Sequence, residues 1–231
     1  MYFWPQRGLS LENAMVVITG YAHSQEIIHE LGKAYPVTLV CGEEKIAMRV
    51  KAFHVGQFHL TQAILIAGSP LIKGHLYTLS IPDLPDHLAI LTTRGAYGTP
   101  SRPVQWIAGT EISTELPRWM GLPKCTGKNY EMYGCGPAEY VTFSLPIDAK
   151  AEYLVRATVI DALSGTSCTY LLAPHKDGVE LGHGMCSGEF AFSPGAHYTA
   201  RFDLMDLSGN LIPGSDTAIA FTAPTPADNE R

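Results

Sequence analysis

Charge is scarce in this chain, and what charge there is does not cluster. Asp, Glu, Lys and Arg make up 16% of the 231 residues, against roughly 25% in an ordinary soluble domain. The 16 basic and 22 acidic residues leave a net charge of −6, and no stretch gathers Lys and Arg. The electrostatic footprint of a nucleic-acid binder is therefore missing, and an anionic membrane surface is a poor partner for the same reason. Long apolar runs are lacking too: no window approaches the roughly 18–20 residues needed to span a bilayer. The opening Met1-Tyr2-Phe3-Trp4-Pro5 lacks the charged and apolar regions of a secretory leader. That is compatible with a cytosolic protein or with a mature chain stripped of its leader; the architecture described below favours the second.

Motifs of catalysis are also wanting. There is no G-x-S-x-G elbow, no phosphate-binding glycine loop and no dinucleotide fingerprint. His29-Glu30 begins like a zincin helix, but position 33 is Lys33 where the second ligand belongs. With His23 and Glu26, these residues read as a solvated helix face. Asp83, Asp86, Asp148, Asp161 and Asp177 fall in expected turns, where the side chain serves the backbone. The five cysteines, Cys41, Cys125, Cys135, Cys168 and Cys186, form no C-x-x-C pair, which removes zinc-ribbon and thioredoxin-type sites.

What is present is the punctuation of an all-β chain: 22 Gly and 16 Pro set between short runs rich in Val, Ile, Thr and Tyr. Strands are expected at 14–19, 35–41, 46–53, 60–67, 76–81, 88–92 and 104–107. In the third, Ile46, Met48, Val50 and Ala52 alternate with Ala47, Arg49 and Lys51, the period of a half-buried strand. One short helix is expected from Ser24 to Leu31, with Ser24 as N-cap, Ile27, Ile28 and Leu31 on one face, and Gly32 as the stop. Alternation lapses from Gly109 to Lys128, which reads as a connection. It resumes at 139–145, 153–160, 166–172, 190–192, 197–205 and 217–222, with a turn at Asp161–Gly165 and a polar, frayed end from Pro224. Turn signals at this spacing indicate sandwiches. The expected organisation is two tandem immunoglobulin-like β-sandwiches, residues 1–112 and 113–231, with the helix in the first.

The first half resembles the bacterial Ig-like domain of S-layer and other cell-surface proteins. The resemblance rests on Pro5-Gln-Arg-Gly8 with Asn13-Ala14, on the strand Val16-Val-Ile-Thr-Gly20, and on Ser69-Pro-Leu-Ile-Lys-Gly-His-Leu-Tyr-Thr-Leu-Ser80. In the last of these, Gly74 bends the chain and Tyr77 fills a sandwich end while its hydroxyl reaches backbone. The second half is similar to a fibronectin type III-like domain. It carries Ser193-Pro-Gly-Ala-His-Tyr-Thr-Ala-Arg-Phe202 and an Asp206-Leu-Ser-Gly-Asn210 turn, but no early core Trp near Tyr140 to Phe143. These resemblances imply a secreted, periplasmic or cell-surface bacterial protein, while the lack of long apolar runs and of catalytic motifs is the ground for expecting a chain that neither spans a membrane nor acts as an enzyme. The resemblances imply a binding or structural module whose ligand is a protein or a carbohydrate. Fold analogy alone assigns no function.

Leu181-Gly-His-Gly-Met-Cys-Ser-Gly188 is the most unusual segment. His183, Met185 and Cys186 are soft ligands suited to copper or zinc, and Cys135, His175 or His197 would complete such a set. The plainer reading makes His183 a loop residue and bonds Cys186 to Cys135, since both lie in glycine-flanked turns that can meet disulfide geometry. A rival arrangement pairs Cys168 with Cys186 and Cys125 with Cys135, while Cys41 reads as a small buried hydrophobe. Tyr2, Phe3, Trp4, Tyr97, Trp119, Tyr130 and Tyr133 form a candidate sugar- or protein-binding set, although core packing is the expected role of any one of them. Three functions follow: a non-catalytic binding or structural module, a copper- or zinc-binding extracytoplasmic protein, and an accessory β region of a larger enzyme.

Overall fold

The computed structural model describes residues 1–85, 92–93, 102–109, 115–175 and 178–229. The described residues are mostly β, with one α-helix. From the N-terminus, β1 (Tyr2–Trp4), β2 (Gly8–Leu9) and β3 (Met15–Tyr21) precede α1 (Ser24–Glu30). Then come β4 (Val37–Cys41), β5 (Glu44–Val55), β6 (Leu60–Ala67), β7 (Leu76–Ser80), β8 (Thr92–Thr93), β9 (Arg102–Pro103) and β10 (Gln105–Ala108). The rest is β11 (Arg118–Trp119), β12 (Lys124–Tyr133), β13 (Gly136–Ser144), β14 (Ile147–Asp148), β15 (Leu154–Asp161), β16 (Ser167–Leu172), β17 (Gly178–His183), β18 (His197–Met205), β19 (Leu211–Ile212) and β20 (Ile219–Thr222), with a closing 3₁₀ turn.

Two compact units result. The first holds residues 1–53, 61–114 and 207–209; the second holds 54–60, 115–206 and 210–231. Neither is a single stretch of chain.

In the first unit one sheet runs β1-β3-β6-β5-β4-β7-β10-β2, antiparallel except for the final β10–β2 pair. Its core draws Phe3, Leu9, Val16, Leu39, Leu65, Tyr77 and Trp106 from strands along the whole sheet, so the sheet curls round one interior. The expected period of two holds in β5, where Ile46 and Met48 are buried and Lys45, Ala47 and Arg49 are exposed. Tyr77 is fully buried, and the Ile72 N–H donates to its hydroxyl oxygen at 3.1 Å, as the 69–80 motif predicts. The helix buries Ile27 and Ile28, but Ser24 is its first residue rather than its cap. Its Oγ is engaged with the Tyr21 N–H and carbonyl instead, both at 2.7 Å. The strand expected at 88–92 lies outside the described residues except for Thr92, and Tyr97, Asp86 and Asp177 lie outside them altogether.

The second unit is a sandwich of β12-β13-β17 and a five-stranded sheet, β16-β15-β18-β19 with β20 also on β18. Phe143, Val141 and Leu181 from the first sheet share a core with Val155, Tyr170, Phe202 and Phe221 from the second. Ring centroids of Phe143 lie 5.1 Å from Phe202 and 5.5 Å from Phe221. The corner seen at Tyr77 recurs: the Ser193 N–H donates to the Tyr198 hydroxyl at 3.0 Å, five residues apart as before.

Four expectations fail here. Lys124–Lys128 is not connection but the start of β12, paired from Lys124 with Ser144. The glycine-rich 178–183 is a strand, β17. Phe190–Phe192 is not one: its donors are spent elsewhere, Phe190 N–H on the Gly182 carbonyl at 3.1 Å and Ala191 N–H on Gln57 Oε1 at 3.0 Å. The end does not simply fray, because Asp228 accepts from the Thr225 N–H at 2.7 Å and holds a 3₁₀ turn over Pro226–Asn229.

Candidate functional site

The three-stranded sheet of the second unit carries the chemistry, arranged at its two ends. Register fixes the layout: Ser144 faces Gly178 and Thr142 faces Glu180 at one end, while Glu139 faces His183 toward the other. Side chains alternate across a strand. Phe143 and Val179 therefore enter the core, and Thr142, Ser144 and Glu180 point outward.

At the first end this outward set, with Thr126 and His175, lines a cleft of about 250 Å³ floored by Phe143, Gly178 and Val179. The Thr126 hydroxyl donates to the Thr142 carbonyl at 3.3 Å. The remaining groups are the hydroxyls of Thr142 and Ser144 and the carboxylate of Glu180 on the paired strands β13 and β17, with the His175 imidazole just before β17. Sequence reasoning missed the cleft because Gly178–Glu180 carries no strand signature, so nothing places Glu180 opposite Thr142.

Several ionisable groups of the second unit are buried or half-buried. Glu139 is 2% exposed and its Oε2 is buried with no hydrogen-bond partner among the described residues. Burial pushes its carboxyl above the usual range, and the charge of His183 opposes that. His183 is itself buried, its Nδ1 2.8 Å from the Gly184 carbonyl and its ring edge-on to Phe58 at 5.3 Å. Nearby, Cys168 Sγ lies 3.6 Å from the Val55 carbonyl and 3.7 Å from that of Glu189. Burial raises the Cys168 thiol to about 11 and lifts Glu189, and burial followed by the Arg156 charge depresses His54. Glu139, Cys168, Glu189 and His54 are each pushed toward the neutral form. A thiol held so far from thiolate is no nucleophile.

A raised carboxyl has a sign for stability. Its contribution is complete below the unfolded carboxyl value and is lost as pH rises through the folded one. The unpaired Glu139 carboxylate therefore destabilises the fold near neutrality. Glu139→Gln removes that charge and is expected to raise the unfolding free energy read by urea titration at pH 7 by at least about 1 kcal/mol, with the gain vanishing on titration to acid. Equal midpoints across the pH range would refute this.

The sequence-predicted site residues sit around the second end. No disulfide forms: all five cysteines are free and no two lie at bridging distance. Cys135 lies in the β12–β13 turn and Cys186 in the turn closed by Gly184 N–H on the Ser187 carbonyl at 2.7 Å. Each turn is closed by its own backbone and leaves its thiol in solvent. Neither rival pair lies at bridging distance. Cys168 pairs with Val159 in the opposite sheet from β17. Cys125 sits opposite Phe143 while Cys135 is at the hairpin tip, and at about 3.4 Å per residue they are far apart. Cys41 is only half-buried, its Sγ 3.6 Å from His75 Nδ1.

The metal set His183, Met185 and Cys186 is not assembled as expected, because His183 turns into the core while Met185 and Cys186 are exposed. Among the described residues no three His, Cys, Asp or Glu side chains gather for a metal. His175 lines the cleft, and His197 lies 3.4 Å from Thr222 Oγ1. Of the described members of the candidate aromatic set, Phe3, Trp4 and Tyr130 are buried, Trp119 is half-buried, and Tyr2 and Tyr133 are exposed.

No family model and no curated protein sequence matches this chain. Among solved structures it is similar to the type I pullulanase of Bacillus subtilis str. 168 complexed with maltose, at 10% identity and TM-score 0.28 over 94% of this chain and 24% of that one. It is similar to the pullulanase of Anoxybacillus sp. LM18-11 complexed with maltotriose, at 10% identity and TM-score 0.27 over 90% and 25%. It is also similar to the FN1–FN3 domains of chicken CNTN1, at 12% identity and TM-score 0.28 over 94% and 65%. The chain spans about a quarter of the length of the pullulanases, and likeness this distant assigns it no activity.

Proposed function

We propose that this chain is a non-catalytic binding module and that the cleft on β12, β13 and β17 takes one unit of a neutral carbohydrate. The observation that carries the reading is the lining: Thr142, Ser144, His175 and Glu180 offer hydroxyl, imidazole and carboxylate groups together on a sheet surface. Polyhydroxyl ligands need donors and acceptors at fixed spacing, and adjacent paired strands supply it. The volume, about 250 Å³, falls just below the usual range for small-molecule sites, roughly 300–1,000 Å³, and suits a single ring better than a nucleotide cofactor. The net charge of −6 and Glu180 in the lining disfavour polyanions.

Titration calorimetry against a panel of neutral mono- and oligosaccharides tests the reading. Binding is expected, and Glu180→Ala should weaken it by about tenfold, the worth of one hydrogen bond to a charged group. Absence of binding across the panel, or an unaffected Glu180→Ala, would overturn it. We also propose an extracytoplasmic location, which rests on the sandwich architecture and not on the cysteines; fractionation of the source cells would test it.

A further inference from the structure

Two turns at the far end of the three-stranded sheet expose an unusual set of side chains. The β12–β13 hairpin ends with Met132 opposite Pro137 and Tyr133 opposite Gly136. The other turn, Gly184–Ser187, follows β17, and His183 and Gly188 bridge at its base. The turns lie side by side: a methyl group on Gly136 would sit 3.9 Å from the Met185 carbonyl oxygen.

On these adjoining turns stand Met132, 61% exposed, Met185, 42% exposed, and the exposed thiols of Cys135 and Cys186. Methionine and free cysteine are among the residues most often buried. Four such side chains held in solvent on two touching turns stabilise no core. The glycines at 134, 136, 184 and 188 leave the turns uncrowded by side chains of their own.

We propose that Met132, Cys135, Met185 and Cys186 form a site for a soft monovalent metal, Cu(I). Two thiols and two thioethers are the ligand set that selects Cu(I) over harder ions, whereas zinc takes thiolate and imidazole but gains little from thioether. Binding releases the two thiol protons to solvent and involves no change of oxidation state when the metal arrives as Cu(I). His183 is not a ligand here, because its ring is buried against Phe58 with Nδ1 on the Gly184 carbonyl.

The test is competition for Cu(I) between the full chain and a chromogenic chelator, without oxygen and with the thiols reduced. One Cu(I) per chain is expected. Cys135→Ser combined with Cys186→Ser should abolish that binding. Met132→Leu combined with Met185→Leu should weaken it by more than about tenfold. Cys125→Ser, at the other end of the hairpin, should bind like the parent. All four positions are exposed, and circular dichroism of each variant checks the fold. Failure of the parent to compete, or parent-like binding by the double methionine variant, overturns the proposal.

Discussion

Phe143→Ala is expected to lower the unfolding free energy of the second unit by about 3–5 kcal/mol, the usual range for a buried phenylalanine. Phe143 is fully buried and its ring meets Phe202 and Phe221 at 5.1 and 5.5 Å. It thus joins β13 of one sheet to β18 and β20 of the other. Edge-on aromatic pairs add to the burial itself, and alanine leaves a cavity walled by rigid strands that collapse poorly. Urea titration followed by circular dichroism reads the effect as a lower midpoint at unchanged slope. A loss under about 1 kcal/mol would mean that the ring is not central to the sandwich.

Gly182→Ala is expected to cost about 3 kcal/mol, the top of the ordinary range for one substitution. Gly182 has φ of 149°, a conformation that side chains rarely adopt. A Cβ there would lie 1.8 Å from the Glu139 carbonyl oxygen. The methyl group can be accommodated only if β13 and β17 separate, which also disturbs the register that faces Glu139 with His183. Amide exchange along β17 should accelerate with the loss of stability. Gly134→Ala is the control: nothing lies within 4 Å of its added methyl, and a change within about 0.5 kcal/mol is expected. Similar losses in both variants would refute the steric argument.

Gly182 also marks where reading the sequence failed. Gly178 and Gly182 lie in a strand because the neighbouring strand passes too close for any side chain: a Cβ on Gly178 would fall 1.9 Å from the Phe143 carbonyl. In the sequence, closely spaced glycine looks like a loop, so β17 was invisible, and with it the cleft and the Glu139–His183 register. The cysteine pairing failed for a related reason. Glycine-flanked turns permit disulfide geometry without imposing it, and these turns close on their own backbones. Where a residue type has a single good solution, the sequence was informative. The period of two in β5 holds. Tyr77 places its hydroxyl on an amide five residues back, as the 69–80 motif led one to expect, and Tyr198 makes the same contact without having been singled out for it. Asp206 with Gly209 and Asn210 closes the expected turn, the Asn210 N–H donating to its carboxylate at 2.8 Å.

The interleaved make-up of the two units bears on how this chain can be divided. Leu60 belongs to the core of the second unit and Phe58 packs on its His183, yet both lie in the chain between the two main stretches of the first unit. A single cut between residues 114 and 115 strips the second unit of an internal wall. Shuffling of this gene by simple domain exchange would thus exchange incomplete halves, and a fragment beginning at residue 115 would need the 54–60 peptide returned in trans before its interior closed.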